Sequence, residues 1–354
     1  LVDAGNERSQ LRSVIVGRTT HPCFPHEPPH MIKATMPALH QKLFQPDSPF
    51  PEHILQKEDA ELDQLARVLQ EEGVIMYRPN VVDWRKIGGY TAAMIRDELT
   101  TVGNTIIEAP YAWGCRKHEI DLAYGEFLNQ MAGAGFTAII RAPSISDLDT
   151  IYDGIRESEH GADHIWAINN SRPAFDCADF MRFGKVLIGQ YSNVTNQKGI
   201  EYLRASVPDG YTVEILEVDD SHAMHIDATI LPLKQGLLVY NPLRTSEEAL
   251  RKHAVLRGWD LHAYPFVPKK RDDPPLFMTS GWLCMNVLSL SDKKVVLEEH
   301  DVEFADWVWQ FGIEPILLPF QNVNSIGGSF HCATVDLLRD SKWGTDVAPQ
   351  DGCR

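Results

Sequence analysis

Residues 226–263 decide the fold, and they read IDATILPLKQGLLVYNPLRTSEEALRKHAVLRGWDLHA. Apolar and β-branched runs closed by turn residues predict three strands here, at Ile226 to Ile230, Gly236 to Tyr240, and Asp260 to Ala263. Residues 246–258 predict a helix between the second and third strands. Thr245 and Glu248 would form a capping box at its start, and Gly258 would end it.

The same order of strand, strand, helix and strand recurs further along the chain. Strands are predicted at Leu283 to Leu290, Lys294 to Glu298 and Glu314 to Leu318, and a helix that begins near Val302 precedes the last of them. A unit of this kind cannot bury its own apolar faces, so the units must pack around a shared core. Radial repetition, as in a propeller, is one solution, and a doubly wound sheet is the other. The sequence lacks the Gly-x-Gly-x-x-Gly turn that a dinucleotide-binding doubly wound sheet requires.

Before residue 226 the same kinds of element are predicted with less regularity. Strands are predicted at Ser13 to Gly17, Gly73 to Tyr77, Thr101 to Pro110, Ala138 to Arg141, Lys185 to Gln190 and Thr212 to Val218, and helices at Ile54 to Glu72 and residues 198–206. Residues 143–172 are polar and show no regular pattern. The sequence therefore predicts an α/β protein.

Composition and charge exclude several classes of partner. The chain has 354 residues, 44% of them apolar and 23% charged, which is ordinary for a globular enzyme. Its formal net charge of −16 argues against nucleic acid and anionic membranes, because it offers no basic field to displace phosphate counterions. A cationic or zwitterionic small substrate suits this charge, although acidity serves solubility equally well.

The cysteine spacing and the lack of a recognisable targeting pattern predict a cytoplasmic protein. No apolar run approaches the roughly 20 residues needed to cross a bilayer, and residues 1–8 do not have the pattern of a signal peptide. The six cysteines are scattered without a Cys-x-x-Cys pair, which indicates free thiols in a reducing compartment.

Three stretches put reactive side chains where packing alone does not require them. They are RPAFDCADFMR with Asp176, MHIDATI with His225 and Asp227, and GGSFHCATVD with Cys332. On a strand, His225 and Asp227 would face the same side. Each group alone is as well explained by a packed thiol or a satisfied buried polar group. Together, a cysteine, a histidine and an orienting carboxylate form a complete set for nucleophilic catalysis.

A metal site is the alternative use of the same donors. His225, Asp227, His331 and Cys332 are all residue types that bind metals. Zinc sites generally take ligands in local pairs separated by loops, whereas the adjacent His331 and Cys332 would point apart. The catalytic triad is therefore the preferred interpretation, and no metal or organic cofactor is expected.

These stretches resemble the arginine amidinotransferases, the family of glycine amidinotransferase and inosamine-phosphate amidinotransferase. The matching motifs are FDCAD at 175–179, MHIDAT at 224–229, YNP at 240–242, WLCMNV at 282–287 and GGSFHC at 327–332, with Arg96-Asp97 and GNTIIEAP at 103–110. The resemblance implies a five-bladed α/β propeller of ββαβ units around a pseudo-fivefold axis, the pentein fold shared with arginine deiminases. It implies one domain over residues 1–340 and a C-terminal tail at 341–354. The implied activity is transfer of the amidino group of L-arginine to a primary amine, with release of L-ornithine.

The resemblance also implies a role for each matching residue. Cys332 matches the nucleophile that carries the amidino group, His225 the general acid and base, and Asp176 the carboxylate that orients this histidine. Substrate-binding positions are matched by Asp97 and Asp227 for the guanidinium, Arg244 and Ser280 for the amino acid carboxylate, and His222 and Met224 beside the acceptor, while Asp179 matches a structural position. The mechanism should be ping-pong, and a protonated histidine and a bound cation should lower the pKa of the thiol.

Departures from the family pattern bear on the acceptor amine. Ser329 stands where glycine is common, Gly281 replaces a lysine, Ile95 replaces a proline, and residues 114–119 lack the usual arginine and aromatic pattern. Met224 agrees with the glycine-using enzymes, whereas Ser329 and the following Cys-Ala-Thr resemble natural-product enzymes such as those of saxitoxin-type guanidine toxins. The expected acceptor is an amine of a secondary-metabolite pathway, with glycine or another amino acid as the alternative.

Two rival functions share the fold. An arginine deiminase-type hydrolase would resolve the covalent intermediate with water, but its usual Glu-Gly-Gly-Asp is replaced here by Asp176-Cys-Ala-Asp179. A non-catalytic arginine-binding protein would keep the pocket without turnover, and the intact cysteine, histidine and aspartate argue against it. The sequence leaves open whether the chain acts as a monomer or a homodimer.

Overall fold

The structure is a computed structural model, and it describes most of the chain. The described residues are 2–25, 47–135, 137–146, 149, 151, 166–221, 223–269, 274, 276 and 279–340. His222 and the predicted tail at 341–354 lie outside the described residues. No helix in the described ranges is long and apolar enough to cross a membrane.

Short strands make up most of the regular structure. They are β1 (Leu11–Val16), β2 (Ile75–Tyr77), β3 (Leu99–Val102), β4 (Thr105–Glu108), β5 (Ala138–Ile140), β6 (Phe180–Phe183), β7 (Val186–Gly189), β8 (Thr212–Ile215), β9 (Ile230–Lys234), β10 (Leu237–Tyr240), β11 (Asp260–Ala263), β12 (Leu288–Ser291), β13 (Lys294–Glu298), β14 (Glu314–Leu318) and β15 (Thr334–Arg339).

Helices connect these strands. They are α1 (Glu52–Glu71), α2 (Trp84–Ile87), α3 (Ile95–Glu98), α4 (Gly125–Gly133), α5 (Gln197–Ser206), α6 (Glu247–Arg251), α7 (Val302–Trp309) and α8 (Gln321–Asn324). Short 3-10 turns lie at 114–116, 177–179, 226–228, 254–256 and 281–285, and a π turn lies at 120–124.

The strands form five sheets of three strands each. Sheet 1 is β3-β4-β5, sheet 2 is β6-β7-β8, sheet 3 is β9-β10-β11, sheet 4 is β12-β13-β14, and sheet 5 is β15-β1-β2. In every sheet the first pair is antiparallel and the second pair is parallel. A parallel pair needs a long crossover, and α4, α5, α6, α7 and α1 lie in these five crossovers. The predicted α/β class and the repeated ββαβ unit are both present.

Sheet 5 joins the two ends of the described chain. Strand β15 pairs with β1, with Val16 opposite Thr334 and Ile15 opposite Val335. Helix α1 covers this region and buries Leu62, Leu65 and Leu69 on one face, as its apolar spacing predicts. The helix predicted from Ile54 to Glu72 is therefore confirmed to within two residues at each end.

Several details of the decisive stretch were predicted wrongly. The helix predicted to end at Gly258 ends at Arg251, and a separate 3-10 turn follows at 254–256. Residues 226–228 form a 3-10 turn instead of a strand, and β9 begins only at Ile230. The helix cap is Ser246, whose hydroxyl accepts from the backbone N–H of Ala249 at 3.1 Å. The hydroxyl of Thr245 donates instead to the carbonyl of Glu217 at 3.0 Å, so the capping box is absent.

The strand predicted from Leu283 begins only at Leu288. The preceding residues 281–285 form a 3-10 turn that starts at Ser280. An apolar run cannot separate a buried turn from a buried strand, because both hide the same side chains. The first strand of sheet 2, Phe180–Phe183, was not predicted, because Arg182 interrupts its apolar pattern.

The N-terminal residues 3–8 contact one end of all five sheets. Their hydrogen bonds and bridges join Asp3 to Leu337, Ala4 to Gly103, Gly5 to Gly184, Asn6 to Phe183, and Arg8 to Gln235 and Asp292. Gly103, Gly184, Gln235 and Asp292 lie in the hairpin turns of sheets 1 to 4, and Leu337 lies near the end of β15. The hairpin ends of the first strands therefore lie close together.

Candidate active site

The candidate site lies at the opposite ends of the same five strands. A buried polar group precedes the first strand of each sheet, namely Asp97 before β3, Asp176 before β6, Asp227 before β9, Asn286 before β12 and Cys332 before β15. His225 and His331 lie on the same segments as Asp227 and Cys332. The repeated fold thus brings together side chains that are far apart in sequence.

Cys332 lies at the centre of this cluster and is only 2% exposed. Its thiol is 3.5 Å from the carboxylate of Asp227, to which it can donate. The preceding chain bends sharply around it, because a Cβ on Gly328 would lie 2.6 Å from the Cβ of Cys332. Glycine at this position is therefore required by the close approach of the backbone to the cysteine.

His225 joins the cysteine to the acids. Its Nε2 lies 3.0 Å from Asp176 Oδ2 and 3.6 Å from Asp97 Oδ1. The reactive atoms of Asp97, His225 and Cys332 all lie within 4.8 Å of one another. Three of the predicted site residues, Asp176, His225 and Cys332, are thus brought together with Asp97.

The backbone at His225 is strained. Its φ is 65°, a value that only three non-glycine residues adopt in the described chain. Such a conformation is costly for a residue with a side chain and persists only where surrounding contacts enforce it. The strained residue begins the 3-10 turn that replaces the predicted strand. In this turn His225 contacts Asp176, while Asp227 contacts Cys332.

The acids decide the charge of the histidine. Burial alone would lower the pKa of His225, but Asp97 and the hydrogen bond to Asp176 raise it well above its ordinary value. The imidazole is therefore protonated at neutral pH. Burial, followed by the charges of Asp227 and Asp97, raises the pKa of Cys332 to about 12. The predicted lowering of this pKa concerned the thiol with a cation bound, and a cation placed between these carboxylates would act in that direction.

A second group of residues holds Asp97. Arg116, which is 2% exposed, donates to Asp97 Oδ2 at 2.9 Å and to Glu119 Oε2 at 2.8 Å. Its guanidinium lies over the ring of Tyr111, 4.7 Å from the centroid. The other oxygen, Asp97 Oδ1, is buried and has no hydrogen-bond partner within the described ranges. This oxygen remains available for a cationic ligand.

Asp227 is hydrogen-bonded to a buried histidine, His331. His331 Nδ1 lies 2.9 Å from Asp227 Oδ2, and His331 Nε2 lies 3.5 Å from Glu7 Oε2. Burial would raise the pKa of Asp227, but the hydrogen bond from His331 lowers it. Asp227 is therefore ionised beside the thiol, as a residue that binds a cation must be.

The remaining predicted residues lie around this centre. Arg244 donates to Asp220 at 2.8 Å, and its Nη1 is 3.4 Å from the carbonyl of His225. Ser280 is exposed, and its hydroxyl accepts from the N–H of Trp282 at 3.3 Å. Met224 is partly buried against the largest core cluster.

Asp179 lies apart from the reactive atoms. Its carboxylate accepts hydrogen bonds from Ser192 at 2.6 Å, Thr195 at 2.5 Å and Gln190 at 3.0 Å. These bonds tie the turn before β6 to the loop after β7, in agreement with a structural role. Burial raises the pKa of Asp179 to about 6.

Sequence reasoning did not identify Arg116 and Asn286 as parts of this site, and it considered His331 only as a metal ligand. Asn286 and His331 lie within the recognised motifs WLCMNV and GGSFHC, which could have drawn attention to them. Arg116 lies in residues 114–119, which carry no such pattern. Its position beside Asp97 depends on the turn at 114–116, which only the folded chain shows.

The metal alternative was stated for His225, Asp227, His331 and Cys332. The structure instead groups Asp97, His225 and Cys332, which offer three ligand atoms within 4.8 Å of one another. A metal ion binds the neutral imidazole and the thiolate. The acids around His225 raise its pKa and so favour the protonated ring, which is a poor ligand.

Comparison with known proteins identifies the family. No family model matches the chain. It is 40% identical over 348 residues to the L-arginine:L-lysine amidinotransferase of Pseudomonas savastanoi pv. phaseolicola, across 94% of this chain and 92% of that protein. The chain belongs to the arginine amidinotransferase family. It is therefore a transferase, as the resemblance predicted.

Two further relatives of this chain are also amidinotransferases. The mitochondrial glycine amidinotransferase of Gallus gallus is 36% identical over 354 residues, which cover 94% of this chain and 82% of that protein. The solved structure of SxtG, an amidinotransferase of the saxitoxin biosynthetic pathway from Microseira wollei, superimposes with a TM-score of 0.85 at 31% identity, covering 97% of this chain and 98% of that one. The α/β fold is thus that of the family.

Proposed function

We propose that this enzyme transfers the amidino group of L-arginine to a primary amine through a covalent amidino-cysteine at Cys332, and releases L-ornithine. The observation that carries the proposal is the buried contact of Cys332, a protonated His225 and Asp176 beside Oδ1 of Asp97, which accepts no hydrogen bond from the described residues and lies 3.6 Å from His225 Nε2. This arrangement supplies a nucleophile, a proton donor and a site for a cation.

In the first half-reaction, binding of arginine lets the Cys332 thiol lose its proton to water, and the thiolate Sγ bonds to the guanidinium carbon of arginine. The bond from that carbon to the side-chain nitrogen of ornithine breaks, and the imidazolium of His225 gives its proton to the departing amine. In the second half-reaction, His225 takes a proton from the acceptor amine, which attacks the amidino carbon and displaces the thiolate. Asp176, 3.0 Å from His225, orients the ring through both steps.

The proposed substrate contacts follow from the charges. Asp97 and Asp227 hold the guanidinium, since two carboxylates match a planar cation with several N–H donors. Arg244 and Ser280 hold the amino acid carboxylate, which would replace Asp220 as the partner of Arg244. Binding of arginine also places positive charge beside Cys332 and favours its thiolate.

The acceptor is proposed to be an amine of a secondary-metabolite pathway, with glycine or another amino acid as the alternative. The names of the relatives cover lysine, glycine and the saxitoxin pathway, so family membership alone leaves the acceptor open. Met224, His222 and Ser329 are the proposed determinants. Ser329 is buried on the loop that carries Cys332, which supports its influence on the acceptor side.

We further propose that the five sheets are blades of a closed propeller around a pseudo-fivefold axis, forming one domain over residues 1–340 with 341–354 as a tail. The pairing of β15 with β1 supports closure, since it joins the last described strand to the first. The contacts of residues 3–8 with all five sheets support a common axis.

Incubation with arginine alone tests the reaction. The expected result is one equivalent of ornithine per enzyme, then a stall, with an amidino adduct on the Cys332 peptide by mass spectrometry. Cys332→Ala should release no ornithine. Steady release of citrulline would instead identify an arginine deiminase-type hydrolase, and binding of arginine without ornithine release would identify a non-catalytic binder. A screen of amines with labelled arginine then identifies the acceptor.

A further inference from the structure

Asn286 occupies the position in sheet 4 that reactive residues occupy in the other sheets. It lies two residues before β12, as Asp97 lies before β3 and Cys332 before β15. It is only 1% exposed. Its amide contacts the cysteine in two places and the preceding residue in one. Oδ1 accepts from the backbone N–H groups of His331 at 3.0 Å and Cys332 at 3.1 Å, and Nδ2 donates to Cys332 Sγ at 2.9 Å.

The orientation of this amide is determined by chemistry. Two backbone N–H groups point at one end of it, and a backbone N–H can only donate. A flipped amide would place its own NH₂ group against both donors and leave them unsatisfied. The oxygen of Asn286 must therefore face the backbone of residues 331 and 332, and its NH₂ group must face the sulfur.

The sulfur needs such a donor. Cys332 is buried, and the carboxylates of Asp227 and Asp97 oppose a negative charge there. Two hydrogen-bonding side chains favour the thiolate, His225 and Asn286. His225 must give up its proton to the departing amine, whereas the amide of Asn286 stays a donor throughout.

We propose that Asn286 is a further catalytic residue, which fixes the backbone of Cys332 and donates a hydrogen bond to its thiolate. The inference rests on the proposed role of Cys332 as nucleophile. When Sγ bonds to the amidino carbon, its negative charge is lost and the hydrogen bond weakens. When the acceptor amine displaces the sulfur, the thiolate re-forms against the same donor, so Asn286 acts in both half-reactions.

Alkylation of Cys332 as a function of pH tests this role without turnover. Iodoacetamide reacts with the thiolate, and peptide mapping by mass spectrometry separates Cys332 from the other cysteines. In Asn286→Ala and Asn286→Asp we expect alkylation about 10- to 100-fold slower at pH 7, with the midpoint of the pH profile moved upward. Asn286→Asp keeps the shape and the oxygen that accepts from the backbone, so it decides the outcome if the alanine variant does not fold.

Asn324→Ala is the matched control. Asn324 is equally buried, and its Nδ2 donates to the carbonyl of Gly328 at 2.9 Å in the same loop. This variant should loosen the loop but leave the midpoint of the Cys332 pH profile in place. An Asn286→Asp profile identical to that of the wild type would overturn the proposal and leave Asn286 a packing residue. Release of ornithine from arginine by Cys332→Ala at the wild-type level would instead reject Cys332 as the nucleophile.

Discussion

Two buried clusters of charge lie side by side in this molecule and are built differently. The paired cluster joins Glu7 and Asp336 to Arg96, Arg182 and Arg339. The reactive cluster joins Asp97, Asp176 and Asp227 to His225, Cys332 and Arg116. In the paired cluster the guanidinium groups outnumber the carboxylates. In the reactive cluster the carboxylates outnumber the permanent cations.

The pKa values of Glu7 and Asp97, one carboxylate from each cluster, shift in opposite directions, as this difference in charge predicts. Burial would raise the pKa of Glu7, but Arg182 and its neighbours lower it well below its ordinary value. Burial raises the pKa of Asp97, and the nearby His225 and Arg116 only partly oppose this. The paired cluster is complete as folded, whereas the reactive cluster lacks a cation. A guanidinium substrate supplies that missing charge, which is the physical reason for expecting arginine.

The largest expected effect is a loss of activity after a substitution in the reactive cluster, with little change in stability. Asp176→Asn should lower kcat about 10⁴-fold, because the orienting carboxylate and the charge that holds the imidazolium are lost. The melting temperature should change little, since the substitution preserves shape. Steady-state kinetics and thermal denaturation measure both.

Asp179→Asn is the control for this prediction. Asp179 is also buried and lies three residues away, but its carboxylate binds Ser192 and Thr195 instead of His225. Its replacement should reduce stability while kcat stays within a few fold. Equal losses of kcat in the two variants would show that the turn before β6 acts only as a structural unit.

The paired cluster should give the opposite result. Arg182→Met leaves Glu7 and Asp336 short of a buried partner and should cost about 3–5 kcal/mol of unfolding free energy. Arg12→Met is the matched control, because Arg12 pairs with Asp340 at the surface, where both side chains are about half exposed, and its replacement should have a much smaller effect. Chemical denaturation measures both values. Similar costs would contradict the assignment of the first cluster to stability.

A smaller effect is expected where the two clusters meet. Asp227→Asn should lower kcat/KM for arginine about 10- to 100-fold, because the guanidinium loses one charged acceptor. The fold should remain intact, since Asn can still accept from His331. The second half-reaction, measured by adding acceptor to amidinated enzyme, should change less. Unchanged kinetics with arginine would reject the proposed contact between Asp227 and the guanidinium.

The sequence predicted the reactive cluster better than the paired one. Cys332, His225 and Asp176 lie in recognisable motifs, and the repeated ββαβ unit gave a reason for their convergence. Glu7, Arg182 and Asp336 were given no role, although Arg182 and Asp336 lie at the ends of two of the stretches singled out for Asp176 and Cys332. Their pairing depends on residues more than 150 positions apart in sequence, and periodicity carries no information about such contacts.

Local geometry was the other limit of sequence reasoning. The run from Ile226 to Ile230 is β-branched and apolar, so it predicts a strand, yet tertiary contacts of Asp227 with His331 and Cys332 favour a turn. His225 and Asp227 were expected on one face of a strand. They lie instead at a turn with positive φ at His225, where His225 contacts Asp176 and Asp227 contacts Cys332. Propensity is overridden where the site imposes its own backbone.

The smallest expected effect concerns stability as a function of pH, to which Glu119 and Glu7 contribute with opposite signs. Burial raises the pKa of Glu119 to about 7, and Arg116 only partly opposes this. The folded state therefore holds a proton that the unfolded state has already lost, so stability falls as pH rises from the ordinary value of 4.5 towards 7. Glu7, whose pKa is lowered, gives stability that is present above 4.5 and is lost on acidification.

Thermal denaturation between pH 3 and pH 8 separates these two contributions. Glu119→Gln stays neutral at every pH and should lessen the decline above pH 5, a gain of roughly 1–2 kcal/mol at pH 8. It should leave in place the acid limb and the part of the decline that comes from Asp179, whose pKa burial raises to about 6. The exposed Glu126→Gln should change neither limb. A decline above pH 5 as steep in Glu119→Gln as in the wild type would mean that the shortage of cations in the reactive cluster does not reach Glu119, and the cluster would then be confined to the groups around Cys332.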